Sequence, residues 1–242
     1  LFGFAVEVAA AQMTSPITVK LSIGGVLVQE ETYTVRQYAE VILRDENNQY
    51  PTVTEDLVKA MLNYGAYAQL NFAHNEDTLA NAGYEITEFA AIPDNLETNV
   101  APAGSVPGVS VYGASLLFQS NVAVRYYFSG DVSNCTFAVE GVEGTLTPVQ
   151  KDGLWYVEVG GINPQNLADD ITLSVNNGAL TVTYSPLNYI VRKYNNEASS
   201  DSLKDLVQAM YGYHLAAKTY LANLNLSDDF AVKSQTQSTL YE

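Results

Sequence analysis

Several short stretches of the chain alternate apolar and polar residues. Side chains along a β-strand point to opposite faces in turn, so this alternation predicts strands with one buried face and one wetter face. Glycine-containing pairs between two such stretches, at Gly24-Gly25 and Asn177-Gly178, predict tight hairpin turns. The clearest alternating stretches are FAVEV (4–8), ITVKLSI (17–23), NVAVRYYF (121–128), WYVEV (155–159), ITLSV (171–175) and LTVTY (180–184).

Two longer stretches, residues 56–72 and 205–221, repeat apolar residues every three to four positions, which predicts amphipathic helices. Shorter helices are predicted over 34–44 and 186–194. Pro186 suits the first turn of the latter, because a helix needs no hydrogen bond from that position. Capping boxes are predicted at Thr52 with Glu55 and at Ser202 with Asp205. The apolar stripes are Leu57, Met61, Tyr64, Ala68 and Phe72 in the first long helix, and Leu206, Met210, Tyr213, Ala217 and Leu221 in the second.

The two long stretches are copies of one another. DLVKAMLNYGAYAQLNF begins at residue 56 and DLVQAMYGYHLAAKTYL at residue 205, and seven of the 17 positions are identical. FAVEV and WYVEV, ITVKL and ITLSV, and TYTVRQY and TYSPLNY recur before them in the same order. Four segments in a constant order indicate duplication of one unit. We expect each long helix to cover its own sheet with the repeated stripe.

These elements predict an α+β fold of two homologous modules, each an antiparallel β-sheet or sandwich covered by a helix pair. A stretch rich in Pro and Gly, 92–108, predicts a linker between a first module (1–91) and a second (109–224). A polar tail spans 225–242. The strands expected over 109–150 have no counterpart in the first module. Either the chain was trimmed upstream or the first module is a shorter variant, and the absence of an initiating Met favours a cut from a longer precursor.

Composition and charge exclude some partners. The net charge is −16 with only 11 Lys and Arg, which argues against binding to nucleic acid or to anionic lipid. Charged residues make up 16% of the chain against about 25% in an average domain. Polar uncharged residues and 17 Tyr must therefore cover much of the surface. No stretch is long and apolar enough to predict membrane insertion.

Candidate catalytic and metal-binding chemistry is sparse in the sequence. The chain has two His and one Cys, and His74, His214 and Cys135 lack the spacing of a zinc site or of a nucleophile activated by a base. Glu7 and Glu158 lie at equivalent places in the two copies, which favours a structural role over paired catalytic acids. The sequence thus predicts no enzyme, no cofactor and no metal site.

Three acidic loops leave calcium open as a weaker alternative. They are RDENNQ (44–49), SGDVSN (129–134) and NLADD (166–170), and none has the spacing of an EF-hand. A solvated loop is the simpler interpretation of each.

One pair of predicted strands suggests a ligand surface. If Val124, Tyr126 and Phe128 face the core, Arg125 and Tyr127 face outward, because a strand alternates. On WYVEV the same parity places Trp155 in the core and Tyr156 and Glu158 outside. Exposed aromatic rings beside polar groups bind sugars, so Arg125, Tyr127, Tyr156 and Glu158 are candidate ligand-binding residues if their strands are neighbours. Ordinary cross-strand packing is the alternative.

Four stretches carry a resemblance to a known group of proteins: YTVRQYAEVIL, DLVKAMLNYGAYAQLNFAHNEDTLANAG, VSVYGASLLFQSNVAVRYYF and YVEVGGINPQNL. They resemble tandem C-terminal modules of large secreted or surface-anchored proteins of anaerobic Gram-positive gut bacteria. The resemblance covers residues 4–223 and brings no catalytic residues. The missing front strands of the first module are its one departure from that pattern.

The resemblance implies a non-enzymatic extracellular module, monomeric within a longer multidomain chain, used for adhesion or as a structural spacer. Its partner would be a host or cell-wall glycan or protein. A carbohydrate-binding module is the alternative, and an accessory domain of a secreted hydrolase is a second one.

Overall fold

The computed structural model describes residues 6–47, 49–94, 101–118 and 121–226. The first half contains a 3₁₀ turn (Ala10–Gln12), strands β1 (Ile17–Ile23) and β2 (Val26–Tyr33), and helices α1 (Val35–Leu43) and α2 (Thr52–Phe72). The second half begins with β3 (Ala103–Gly104), β4 (Ser110–Phe118), β5 (Val122–Ser129), β6 (Phe137–Val139), β7 (Val149–Lys151) and β8 (Leu154–Ile162). It ends with a 3₁₀ turn (Pro164–Asn166), β9 (Ile171–Val175), β10 (Leu180–Tyr184), α3 (Pro186–Tyr194) and α4 (Asp201–Asn223).

The strands described form three antiparallel sheets, so the predicted α+β class with antiparallel sheets is confirmed. Their orders are β1–β2, β3–β10–β9–β6 and β4–β5–β8–β7. Both predicted hairpin turns are present, and Gly24 and Gly25 both have positive φ, as a two-residue hairpin loop with the twist of its strands requires. Pro186 opens α3 as expected.

The two four-stranded sheets face each other across the main core. Tyr126 and Phe128 of β5 and Leu173 of β9 are completely buried in one hydrophobic cluster. The Tyr126 hydroxyl donates a 2.7 Å hydrogen bond to the carbonyl oxygen of Ile171 on the opposite sheet. The rings of Phe128 and Phe137 lie 5.9 Å apart, centroid to centroid. Aromatic residues therefore join the two layers by packing and by a hydrogen bond.

The two copies of the repeated helix pack against each other. Tyr64 of α2 and Tyr213 of α4 occupy equivalent positions, and their rings stack with centroids 6.0 Å apart at 23°. Tyr64 and Ala68 belong to the main core together with Leu206 of α4. The repeated stripe thus contributes in part to a helix–helix interface, through Tyr64 and Tyr213. In α2, Met61 packs against a small cluster outside the main core, and Phe72 packs against Phe118 of β4. The sequence predicted instead that each stripe would cover its own sheet.

Hairpin β1–β2 differs most from the expectation that each long helix covers its own sheet. Almost all of its residues are exposed, on both faces. Helices α1 and α2 instead bury a small cluster of their own with neighbouring loop residues: Met13, Ala39, Ile42, Val58, Leu62, Ala66 and Ala80. The order of hairpin, short helix and long helix recurs in both halves. The two-module organisation is compatible with this order and stays a prediction.

Local signals at the helix ends were partly misassigned. Helix α2 follows Pro51, and α4 follows Ser200, whose hydroxyl accepts a hydrogen bond from the Leu203 N–H. The predicted boxes beginning at Thr52 and Ser202 are therefore wrong, since both residues already lie inside their helices. A capping box is present instead at Thr34 before α1.

Part of the predicted linker belongs to a sheet. Residues 95–100 lie outside the described residues, but Ala103–Gly104 pairs with β10. The predicted strand FAVEV begins outside the described residues, and its residues 6–8 are not in a strand. Most of the predicted tail, residues 227–242, also lies outside the described residues.

Candidate functional site

The four residues singled out from the sequence lie together on one sheet. Strands β5 and β8 are hydrogen-bonded neighbours, which the sequence could not establish. Their register places Arg125 opposite Glu158 and Tyr127 opposite Tyr156. The predicted ligand surface required these two strands to be neighbours, and they are.

Strand parity is also as predicted. Val124 and Tyr126 on β5 are completely buried, as is Val157 on β8, and all three contribute to the main core. Arg125, Tyr127, Tyr156 and Glu158, which alternate with them, lie on the opposite face and are partly exposed. Trp155 packs against the core, as expected.

A charged pair holds one side of this face. Arg125 Nε donates a 2.9 Å hydrogen bond to Glu158 Oε2, and the guanidinium carbon lies 4.2 Å from the centroid of the Tyr156 ring. Partial burial alone would lower the pKa of Arg125. Hydrogen bonds to Glu158 and Tyr127 and the charge of Glu158 outweigh it and raise that pKa. The guanidinium is thus permanently charged and fixed over one aromatic ring.

Two tyrosine rings form the other side. Tyr127 and Tyr156 have ring centroids 6.1 Å apart and planes inclined at 53°. Ser115 on β4 has its Oγ 3.4 Å from the Tyr127 hydroxyl. We call the outward side chains of Ser115, Arg125, Tyr127, Tyr156 and Glu158 the tyrosine face.

The tyrosine face has the chemical groups of a shallow polar-ligand surface. Its inclined rings offer apolar area, while the tyrosine hydroxyls, the serine and the carboxylate offer hydrogen-bond donors and acceptors. Its two charged side chains, Arg125 and Glu158, are paired with each other. Gly113 lies opposite Tyr127 in the register and adds no side chain beside that ring.

A groove that the sequence did not predict lies between the two long helices. It encloses about 360 Å³ and is bounded by α2, by α4 and by the segment 86–90. Gly212 lines the groove without a side chain, and no atom lies within 4 Å of the position that a Cβ would take. The segment 86–90 shows no periodic pattern in the sequence, so no signal located it against the helices. The lining includes Lys59, Asn63, Phe89, Ala209, Gly212 and Leu215.

The remaining candidate side chains have separate structural partners. His74 Nε2 lies 3.2 Å from Ser15 Oγ, and His214 Nδ1 lies 2.8 Å from the Pro164 carbonyl oxygen. Cys135 Sγ accepts from the side-chain amide of Asn176 at 3.7 Å. In the part of the chain that the structure describes, no three His, Cys, Asp or Glu residues are grouped as metal ligands.

The acidic loops use carboxylates to shape turns. Asp45 accepts hydrogen bonds from the Asn47 and Tyr50 N–H groups. Asp131 accepts one from the Ser133 N–H, which lowers the pKa of Asp131. The bonds from the Asn47 and Ser133 N–H groups, each two residues after the Asp, are those of Asx turns.

Glu7 and Glu158, the acids that recur between the copies, have different partners. Glu7 accepts a 3.0 Å hydrogen bond from Asn121, whereas Glu158 pairs with Arg125.

Comparisons with protein-family models, with curated proteins and with solved structures gave no match. None of the helices described is long and apolar enough to cross a membrane. The chemistry of the sites is therefore the basis for a functional proposal.

Proposed function

We propose that this chain is a non-enzymatic extracellular module of a bacterial surface protein, and that it serves as a rigid spacer that also carries an adhesive surface. The observation that carries the spacer role is the interface between α2 and α4. A spacer must keep a fixed distance between its ends, and a chain with two halves does so only if the halves are joined firmly.

The α2–α4 interface supports this proposal. The equivalent residues Tyr64 and Tyr213 stack at its centre, and Tyr64 is 8% exposed. Residues of α2 enter the same hydrophobic cluster as α4 and both four-stranded sheets. Movement of one half would expose Tyr64, Ala68 and Met210 to water, at about 1.5–3 kcal/mol for each large side chain.

Distance measurements on labelled protein test the spacer role. Spin labels on Val41→Cys, at an exposed position of α1, and on Lys151→Cys, in a Cys135→Ser background, report the distance between the helices of the first half and the edge strand β7 of the second half. We expect one narrow distance distribution. A broad or bimodal distribution would contradict a rigid spacer.

Tyr213→Ala should widen that distribution, because it removes half of the central stack. Tyr112→Ala is the matched control, since Tyr112 is 71% exposed and lies on β4.

Carbohydrate binding is the second candidate, and the assembly of the tyrosine face favours it. Four residues chosen from sequence parity come together on one outward surface, with two rings and several hydrogen-bonding groups. Aromatic rings stack on the C–H groups of sugars, and flanking polar groups fix the hydroxyls.

A glycan array followed by calorimetry tests this candidate. We expect binding to neutral oligosaccharides, and Tyr156→Ala should weaken it at least tenfold. Tyr38→Ala is the control, because Tyr38 is exposed on α1, far along the chain from this sheet. Absence of binding across the array, or equal losses in both variants, would exclude the tyrosine face as a glycan site.

A further inference from the structure

Hairpins β1–β2 and β9–β10 are matched pair by pair. In each, an Ile is opposite a Tyr, and the next pair is Thr opposite Thr. The two Thr side chains are hydrogen-bonded in both hairpins, at 3.0 Å in the first and 2.8 Å in the second. The matching pairs are Ile17–Tyr33 with Ile171–Tyr184, and Thr18–Thr32 with Thr172–Thr183.

The second hairpin shows what covers such a structure. Its inward residues are at most 5% exposed and share one hydrophobic cluster with residues of β5 and β8. Its two edges are paired with β3 and β6. These inward residues are Ile171, Leu173, Val175, Leu180 and Val182.

The first hairpin has the same two faces, but its apolar face is in contact with solvent. Leu21 is 49% exposed and Ile23 66% exposed, and Val19 and Val26 on the same face are similarly accessible. The opposite face carries the Thr pair and the Lys20–Glu30 ion pair. An isolated two-stranded hairpin is marginally stable, and a contiguous exposed apolar face marks an interaction surface.

We propose that β1–β2 is the inner layer of a second sandwich, and that an antiparallel sheet with an apolar inner face covers it. The second half fixes the source of that sheet. There, β4, β5 and β8 precede the hairpin that they cover. The covering sheet is accordingly polypeptide on the N-terminal side of β1.

Two substitutions between the hairpins specify the covering sheet further. Gln29 and Glu31 stand where the second hairpin has Leu180 and Val182. Gln29 Nε2 donates a 3.3 Å hydrogen bond to Glu31 Oε1. If this face is covered, the rest of the carboxylate still requires a cation or a hydrogen-bond donor on the covering sheet. The same carboxylate, with a net charge of −16, disfavours a second copy of this chain as the occupant.

The test supplies the chain with a covering sheet of its own kind. Residues 109–162, which contain β4, β5, β7 and β8, are duplicated and placed before residue 9, in place of residues 1–8. The added strands then precede a 3₁₀ turn and hairpin β1–β2 in the order in which they precede the 3₁₀ turn and hairpin β9–β10. We expect hydrogen exchange of the β1 and β2 amides to slow at least tenfold relative to the parent chain. Adding Gln29→Leu and Glu31→Val, which restore the residues of the second hairpin, should slow it further.

A pair of adjacent substitutions on opposite faces is the matched control. In the chain with the added sheet, Leu21→Lys should abolish the protection and Ser22→Lys should preserve it. In the parent chain neither should shift the thermal midpoint measurably, because both side chains are in water.

Three results would overturn the proposal. One is unchanged exchange with the added sheet even after Gln29→Leu and Glu31→Val. Another is equal behaviour of the Leu21 and Ser22 variants. The third is sedimentation of the parent chain as a dimer that Leu21→Lys dissociates, which would make a second copy the occupant.

Discussion

At the residue scale, a buried amide organises the loop that follows the first long helix. Gln69 is fully buried, and its Nε2 donates to Thr14 Oγ1 and to the carbonyl oxygens of Asn75 and Thr78. Its Oε1 accepts a 2.8 Å hydrogen bond from the Ala80 N–H. One side chain thus replaces water for four groups of the surrounding loops.

Gln69→Leu should destabilise the protein by about 1–3 kcal/mol, because the buried Ala80 N–H loses its acceptor and the partly buried bonds to Thr14, Asn75 and Thr78 are lost as well. Chemical denaturation measures this loss. Gln150→Leu, at an exposed position of β7, should change the free energy of unfolding by less than about 0.5 kcal/mol. Equal effects in the two variants would exclude this role for Gln69.

Two helical glycines have opposite surroundings. A Cβ on Gly65 would lie 2.6 Å from Met13 Sδ and 3.2 Å from the Ala10 carbonyl oxygen, whereas a Cβ on Gly212 would have open space. Gly65→Ala should therefore cost about 1–3 kcal/mol through overpacking. Gly212→Ala should stabilise by up to about 1 kcal/mol, since Ala favours the helix. Thermal unfolding of both variants checks the difference in sign.

At the element scale, the two similar helices α2 and α4 pack against each other. One pair of equivalent positions, Tyr64 and Tyr213, meets at this interface, so a residue of one copy contacts its counterpart in the other. Burial raises the pKa of Tyr213 to about 12, and burial and the neighbouring Tyr213 raise that of Tyr64. Both hydroxyls are therefore neutral in the folded state at any ordinary pH.

These pKa shifts make the interface sensitive to alkali. An unfolded tyrosine ionises near pH 10, so the stability due to a raised folded pKa is fully present below that value. For Tyr213 it should be lost progressively between about pH 10 and pH 12. Circular dichroism against pH, with tyrosinate absorbance, should show unfolding and ionisation together. Tyr213→Phe should reduce this loss, and an unchanged alkaline transition would contradict the assignment.

Element boundaries show where sequence signals were sufficient. Helix α3 matches the predicted range, because Pro186 and the periodicity agree. The capping predictions at Thr52 and Ser202 failed, because Ser, Thr and acidic residues occur both at caps and inside a first turn. Which residue caps depends on where the chain enters the helix, and tertiary packing sets that entry.

At the scale of the whole molecule, stability is distributed unevenly. The main core unites both four-stranded sheets with α2, α3 and α4. Hairpin β1–β2 lies outside it and is exposed on both faces. Regions with few buried apolar contacts open at lower free energy than core strands.

Hydrogen exchange should show this difference directly. Amides of β1 and β2 should exchange at least a hundredfold faster than those of β9 and β10, although the two hairpins share register and Thr pair. The measurement uses the parent chain at neutral pH. Equal protection in the two hairpins would mean that β1–β2 is already covered in solution.

The sequence by itself determined the period of the apolar pattern in each element, and therefore which side chains share a face of a strand or helix. Alternation placed Tyr126 inward and Arg125 and Tyr127 outward, and the helical stripe identified Tyr64 and Tyr213 as packing residues. These are local properties, since the geometry of one strand or helix sets which side chains share a face. The recurrence of residues 56–72 at 205–221 is likewise visible in the sequence alone.

Tertiary structure alone decided which faces meet. It placed β5 beside β8 and so joined Arg125 to Glu158, and it stacked Tyr64 on Tyr213 in place of a separate sheet for each helix. An apolar face does not by itself specify its packing partner, because burial against any complementary surface releases similar free energy. Partner choice follows from the packing of the whole chain, which is why the same hairpin pattern is buried at β9–β10 and exposed at β1–β2.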